Sequence, residues 1–408
     1  MRVLAITNLF PHAERPLLGP YNLYQFRALR ELCELDILAT VPWFPGANLL
    51  SRWTRGGRTS SIPHSEEYGG LWVERPRTLY LPRMLALSGP LFAASLLPRV
   101  LLRYRGKVDV VYACWGYPDG CAAVALAEVL GVPAVVKTLG SDVNVLSRRS
   151  DVEPFMRAML PRAARVVAVS RPLRQRLCEL GVASERVEVI SDAVDRERFR
   201  PRDRAEARAA LGVPADRNLI LYVGNVLETK GILDLAAAFE LVASRQPDTD
   251  LVVVGDGSAR AVAEDFARRI GPHDQPPDKW RMRVVGSQSQ EEVALWMAAC
   301  DVLTLPSWAE GTPVVILEAF SSGRRVVASD VGGIPDLIRT ETLGDLLGEL
   351  VPARDTAALT DALCRAAEAK YDPAEIVARG APPNWTENAA QIHQLFETVV
   401  AERRSARG

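Results

Sequence analysis

Short runs of β-branched and aliphatic residues alternate along the chain with longer stretches of helical period. "RVLAIT", "LDILATV", "VDVVYA", "PAVVKT" and "ARVVAVS" have the length and composition of strands. "GPYNLYQFRALREL" and "GCAAVALAEVLG", between them, have the spacing of helices. Apolar strands separated by crossover helices predict a parallel sheet covered on both faces. From Ser191 to Asn218 this pattern gives way to "SDAVDRERFRPRDRAEARAALGVPADRN", charged and helix-poor, which reads as a connection between domains. A second alternating series follows: "LILYVGN", "DLVVVGDG", "MRVVGS", "DVLTLPS" and "RRVVASDVGG". The expected architecture is therefore α/β, with two doubly wound, Rossmann-like domains facing across a cleft. The first would span 1–195 and the second 196–385, and a helix over 386–408 would pack back on the first. Ligands of such sheets bind beyond the carboxyl ends of the strands.

Composition narrows the function. A length of 408 residues suits about two to three domains, and a net charge of −1 gives no reason to expect nucleic acid. The six cysteines form no CxxC pair, and the four histidines form no HExxH. A zinc or histidine-based metal site is thus not expected, and the thiols suit a reducing, cytoplasmic compartment. "MRVLAITN" has a short apolar run with no small-residue cleavage site after it, so it reads as a first strand rather than a signal peptide. The longest uncharged stretch, Met84–Pro98, is interrupted by Gly89-Pro90 and is shorter than the ~20 residues of a spanning helix. A soluble or at most peripheral protein is expected. Leu79–Lys107 joins apolar bulk to arginines, which fits either a basic amphipathic segment on the inner membrane face or a core helix pair with a basic edge.

Candidate chemistry concentrates in "PSWAEGTPVVILEAFSSGRRVVASDVGGIPDLI", Pro306–Ile338. Asp301–Leu305 reads as a strand and Pro306–Gly311 as the loop at its carboxyl end. Thr312 is placed to cap a helix whose first turn holds Pro313, and Gly323 stands where that helix would stop. Helical side chains lean toward the N-terminus, so Glu318 would point past Val314 toward the loop that carries Glu310. Two carboxylates flanking the anion-binding start of a helix suit ribose, diphosphate and hexose of a nucleotide sugar. Two solvated helix-end glutamates are the plainer reading of either acid alone. In "LYVGNVLETKGILDLAAAF" a strand, a glycine turn and Lys230-Gly231 before a helix aim a lysine at the same rim. Two other motifs lead elsewhere. Asp248-Thr249-Asp250 spells DxD but precedes its strand, so it reads as a turn at the wrong end of the sheet. "GDGSAR" lacks the third glycine of a dinucleotide fingerprint. A glycosidase carboxylate pair would leave Lys230 and the helix start without a purpose.

"EGTPVVILE", "GNVLETKG", "VVVGDG" and "ASDVGGIPDLI" together resemble the retaining glycosyltransferases of family 4, which have the GT-B fold. "NLFPHAERPLLGPYNLYQFRAL", "CWGYPDGCAA" and "KTLGSDVNV" extend the likeness over the first half. The resemblance implies transfer of a sugar from a nucleotide diphosphate donor to a glycan or lipid-linked acceptor, in cell-surface polysaccharide or glycolipid synthesis, with no cofactor and no metal. It implies Glu310, Lys230 and Asp142 as the catalytic group. It places Gly19, Gly224, Asn225, Gly231, Gly311, Thr312, Pro313, Val314 and Glu318, with Lys230, around the donor. Within that set Glu318 would hold the ribose, Glu310 the transferred sugar and Lys230 the diphosphate. Asn225 stands where the family usually has arginine, and Leu139 where many members have histidine or arginine. "SDAVD" replaces Asn-Gly-Val-Asp. A nucleotide-sugar epimerase of the same fold and a non-catalytic nucleotide-sugar-binding partner are the alternatives.

Overall fold

A computed structural model describes residues 1–16, 18–44, 62–81, 84–271, 281–339 and 346–406. The chain forms two compact units, Met1–Ser191 with Trp385–Gly408, and Asp192–Asn384.

In chain order the first unit contains strands β1 (Arg2–Thr7), β2 (Glu34–Ala39), β3 (Val41–Trp43), β4 (Ser65–Tyr68), β5 (Leu71–Glu74), β6 (Arg77–Leu79), β7 (Val110–Ala113), β8 (Ala134–Thr138), β9 (Arg165–Ala168) and β10 (Val187–Val189). Eight of them build one sheet in the order β10-β9-β8-β7-β1-β2-β5-β4, and β3 pairs with β6 apart from it. Only the β4–β5 hairpin in this sheet is antiparallel. The pleat sends alternate residues of β1 to opposite faces. Leu4 and Ile6 enter one core with Phe92, Leu96 and Val100. Val3 and Ala5 enter the other with Phe26, Ile392 and Phe396. The helix Trp385–Ser405 is thereby part of the first unit. A buried polar chain ties it there. Tyr112 donates to Gln25 (2.8 Å), Gln25 to Asn388 (2.6 Å) and Asn388 to the Ser191 carbonyl (2.8 Å).

The second unit holds β11 (Asn218–Val223), β12 (Thr249–Val254), β13 (Met282–Gly286), β14 (Val302–Leu305), β15 (Arg325–Ser329) and β16 (Gly348–Val351). Their order is β13-β12-β11-β14-β15-β16, parallel throughout. The chain thus winds outward from β11 in one direction, then crosses back to β14 and winds in the other. That reversal leaves a crevice at the carboxyl ends of β11 and β14. β1 and β7 are the corresponding pair in the first sheet.

Three local expectations need correcting. The charged connection contains a helix, Arg204–Leu211, because the Asp203 side chain caps it by accepting from Glu206 N (2.8 Å) and Gly212 ends it in the left-handed region. Gly89-Pro90 does not interrupt the apolar stretch. It lies in the first turn of the helix Ser88–Tyr104, where a proline removes no needed donor. Asp250 lies within β12, not in a turn, and its buried carboxylate is held by Arg217 at 2.6 and 2.7 Å.

The helix Ser88–Tyr104 packs inward through Phe92, Leu96, Val100 and Tyr104, so it is one core helix rather than a pair. With the preceding turn, Leu85–Tyr104 is long and apolar enough to cross a membrane. It leaves Leu87, Ala94, Pro98 and Leu102 exposed. Arg99 and Arg103 both pair with Glu74, so much of the basic edge is neutralised within the unit. Residues 82 and 83 of the 79–107 stretch lie outside the described residues.

Asp301 anchors the helix Arg204–Leu211 beneath the second sheet. It accepts from buried Arg208 (2.8 Å), from the Leu219 amide (2.7 Å) and from Arg204. Arg208 also donates to the carbonyls of Ala299, Ala215 and Arg217. Arg208→Met should cost about 3 kcal/mol, because it strands a buried carboxylate and three carbonyls. Arg204→Ala, at a half-exposed position, should cost less than about 1 kcal/mol. Urea unfolding of both variants checks the ranking.

Candidate active site

The loops after β11 and β14 meet at the reversal point of the second sheet. After β11 the chain runs through Gly224 and exposed Asn225 into a short turn, Glu228–Lys230, and then the helix Ile232–Arg245. Gly231, between turn and helix, has φ 69°, and a Cβ there would lie 1.9 Å from the carbonyl oxygen of Pro306. Glycine is therefore required twice, for its backbone conformation and for the close approach. The contact is extended by Trp308 N donating to Thr229 O at 3.0 Å. The Trp308 indole donates to Asp234 at 2.6 Å.

This junction sets the side chains. Lys230 Nζ lies 2.6 Å from Glu310 Oε1. Ser307 Oγ, fully buried, donates to the same oxygen at 2.7 Å. Tyr222 stands beside them: burial first, and then the Glu310 charge, push its phenol upward, and its hydroxyl donates to Asn225 O at 2.8 Å. The Glu310 loop is braced from behind by the turn after β15. Gly333 N donates to Gly311 O at 2.8 Å, and a Cβ on Gly332 would come within 2.1 Å of Glu310 O.

The helix that follows is Val314–Ser321, starting one residue later than the Thr312 cap implies. Pro313 is its N-cap residue, in an extended conformation, and no side chain caps it. Its leading N–H groups and dipole form an anion site next to Gly311, buried Thr312 and Val314. Glu318 lies one turn further in and is 7% exposed. Among the described residues no hydrogen bond or ion pair reaches its carboxylate. Burial pushes it up to about 7, slightly offset by Arg198. A carboxylate so buried and unsatisfied is suited to accept from ligand hydroxyls.

The structure thus brings Lys230, Gly231, Glu310, Gly311, Thr312, Pro313, Val314 and Glu318 into one loop-and-helix assembly, with Gly224 and Asn225 on the adjoining turn. Asn225 is exposed, and its carbonyl accepts from the Tyr222 hydroxyl and the Leu227 amide. Gly19 and Asp142 belong to the first unit. Gly19 starts the helix Pro20–Arg30 behind β1. Asp142 requires a correction, because its carboxylate is fully buried and turned into the backbone. It accepts from the amides of Gly116 (2.8 Å), Gly140 (2.8 Å) and Leu139 (3.1 Å). Burial raises it and these amides oppose the rise. It is a positioning residue that shapes the loops after β7 and β8, not a presented acid.

Two contributors were not singled out from sequence. Ser307 carries no signal beyond its place in the Glu310 loop. Asp119, in the quoted "CWGYPDGCAA", is fully buried and accepts from Asn8 N at 2.7 Å. Burial pushes it up to about 8, opposed by that amide and aided by the Asp142 charge. Among the described residues no group of three or more His, Cys, Asp or Glu side chains is arranged to hold a metal ion.

Known proteins match this chain along both units. The family model for group 1 glycosyl transferases covers residues 217–369, and that for glycosyltransferase family 4 covers 53–198. The chain is similar to the putative teichuronic acid biosynthesis glycosyltransferase TuaC of Bacillus subtilis. The two are 27% identical over 98% of this chain and 94% of that protein. It is 32% identical to D-inositol 3-phosphate glycosyltransferase 1 of Catenulispora acidiphila, over 74% of this chain and 77% of that one. Among solved structures, Anabaena Alr3699/HepE in complex with UDP-glucose superposes with a TM-score of 0.66 at 20% identity, covering 98% of this chain and 100% of that one. With two doubly wound units and these matches, the chain belongs to the family 4, group 1 glycosyltransferases of GT-B fold.

Proposed function

We propose that this protein transfers a hexosyl group from a nucleoside diphosphate sugar to a glycan or lipid-linked acceptor, with retention of configuration and without a divalent metal. The observation that carries the reading is the meeting of Lys230, Glu310 and the uncapped start of Val314–Ser321, with unpartnered Glu318 one turn behind. The second unit holds the donor and the first presents the acceptor. Glu318 accepts from the ribose hydroxyls. The helix start and Lys230 hold the diphosphate, and Glu310 accepts from the sugar. As the bond between sugar and diphosphate breaks, charge grows on the leaving phosphate. Lys230 and the helix amides stabilise that charge, a task that elsewhere falls to a metal ion.

In the isolated chain Lys230 is held by Glu310, so donor binding exchanges that ion pair for a lysine–phosphate contact and leaves Glu310 to the sugar. The UDP-glucose complex of Alr3699/HepE supports a uridine donor, and the teichuronic acid biosynthesis glycosyltransferase TuaC supports a polysaccharide product. The exposed face of Leu85–Tyr104 supports a peripheral contact with the cytoplasmic side of the membrane.

Alanine substitution separates the two glutamates. A hydrogen bond to a charged group contributes about 1.5–3 kcal/mol, or roughly ten- to a hundredfold in affinity. Glu318→Ala should weaken UDP binding by that factor. Glu310→Ala should leave UDP affinity undiminished while largely abolishing transfer. Calorimetry with UDP beside a transfer assay decides it; equal loss of UDP affinity in both variants would sink the assignment.

The raised Glu318 carboxyl adds a pH signature. The folded protein keeps this proton to about pH 7, whereas the ordinary value is 4.5. Protonation therefore favours folding, and the stability linked to this group falls as pH rises from about 4.5 to 7 and is level above that. Glu318→Gln lacks this slope, so its stability relative to the parent should rise by about 3 kcal/mol across that window. UDP affinity of the parent should strengthen more over the same window than that of Glu318→Gln, because ionisation of the UDP phosphate itself, at about pH 6, is common to both. Urea unfolding and calorimetry at pH 5, 6, 7 and 8 measure both.

A further inference from the structure

The first sheet has its own reversal point, between β1 and β7, and a cavity of 360 Å³ lies there. Its walls come from the chain after β1 (Asn8–Phe10), the end of β2 (Ala39–Val41), the loop after β7 (Trp115, Tyr117) and the helix Ser88–Tyr104 (Ser88, Phe92). Most of these side chains are apolar. Set among them are the buried polar residues Arg75, Thr78, His12, Thr40 and Ser88, of which the last three are 4%, 5% and 6% exposed. His12 Nδ1, Thr40 Oγ1 and Ser88 Oγ have no hydrogen-bond partner among the described residues.

Buried polar atoms without partners are rare, and three facing one cavity call for a ligand or water between them. None carries a charge at neutral pH, because burial and the nearby Arg75 push His12 below its usual value. Arg75, the buried cation in the wall, is already committed to Glu66 and to the Pro11 carbonyl. Arg15, the other arginine of the lining, is exposed to solvent, so no buried charge is left for an anion or a cation. The space suits an apolar body bearing hydroxyls that reach His12, Thr40 and Ser88.

The helix supplying Ser88 and Phe92 displays Leu87, Ala94, Pro98 and Leu102 on its outer side, so one element lines the cavity and offers an apolar approach to it. We propose that this cavity binds a neutral amphiphile, an apolar chain carrying a hydroxylated head. Taking that molecule as the acceptor rests on the transfer reaction proposed above and places the acceptor in the lipid-linked class. Its binding requires neither donor nor turnover.

The test is calorimetry on the full chain with n-octyl β-D-glucopyranoside below its micellar concentration, with glucose in a parallel titration. Saturable binding of the octyl glucoside and none of glucose is expected. Ser88→Phe, which fills the cavity, should weaken binding at least tenfold. Thr40→Val keeps the shape and removes the hydroxyl, and should weaken it by about three- to tenfold. Leu102→Glu, on the exposed face, should leave it unchanged. Circular dichroism verifies folding, and Thr40→Val decides the matter if Ser88→Phe does not fold. No saturable binding, glucose binding as tightly as the glycoside, or loss confined to Leu102→Glu would each overturn the proposal. UDP titrated into the same samples keeps the two claims apart. A parent that binds octyl glucoside as described but not UDP retains the cavity and loses the donor reading.

Discussion

The second unit turns on a backbone contact: Gly231 pressed against the Pro306 carbonyl, with room for no Cβ. That contact fuses the loop after β11 to the loop after β14, two segments some eighty residues apart in sequence that adjoin because the sheet reverses direction there. Lys230 can then meet Glu310, Ser307 can hold the same oxygen, and the helix after Gly311 can begin beside them. A lysine on a free loop would be a solvated charge. Fixed within 2.6 Å of a carboxylate, it becomes a preorganised cation whose partner a phosphate can replace.

The same topological device occurs in both units. Each sheet is parallel around a central reversal, and each reversal opens at the carboxyl ends of its strands. Their chemistry differs with the loops. The second unit presents a lysine, helix amides and two carboxylates, suited to a charged and hydroxylated nucleotide. The first presents apolar walls with isolated neutral polar atoms. Burial acts differently on the acids of the two units. Asp142 is compensated by backbone amides and organises loops. Glu318 has no such partners among the described residues, and burial raises it with little to oppose the rise but Arg198.

Much of the loop-and-helix assembly around Lys230 and Glu310 was legible because it depends on local sequence. Glu310, Glu318 and Lys230 stand in short stretches where strand, glycine turn and helix follow one another, and parallel strands announce themselves as unbroken apolar runs. What escaped depends on tertiary partners. The helix Arg204–Leu211 looked like a charged linker because Asp301, which claims two of its arginines, is far along the chain, although Asp203 and Gly212 mark its ends locally. Asp142 looked like an acid facing a ligand because the amides that claim it are settled only by loop geometry. The apolar cavity collects residues from separate segments, and no period or motif in the sequence joins His12, Thr40 and Ser88. Gly89-Pro90 misled for a different reason: a proline in the first turn of a helix removes no needed donor, so it does not interrupt the helix.

The role of Lys230 can be isolated by comparing two ligands that differ only in the diphosphate. Uridine and UDP are titrated into the parent and into Lys230→Met at fixed salt. The parent should bind UDP far more tightly than uridine. Lys230→Met should remove roughly ten- to a hundredfold of that difference while leaving uridine affinity unchanged. Equal loss for uridine and UDP, or an unchanged ratio between them, would contradict the placement of the diphosphate between Lys230 and the start of the Val314–Ser321 helix.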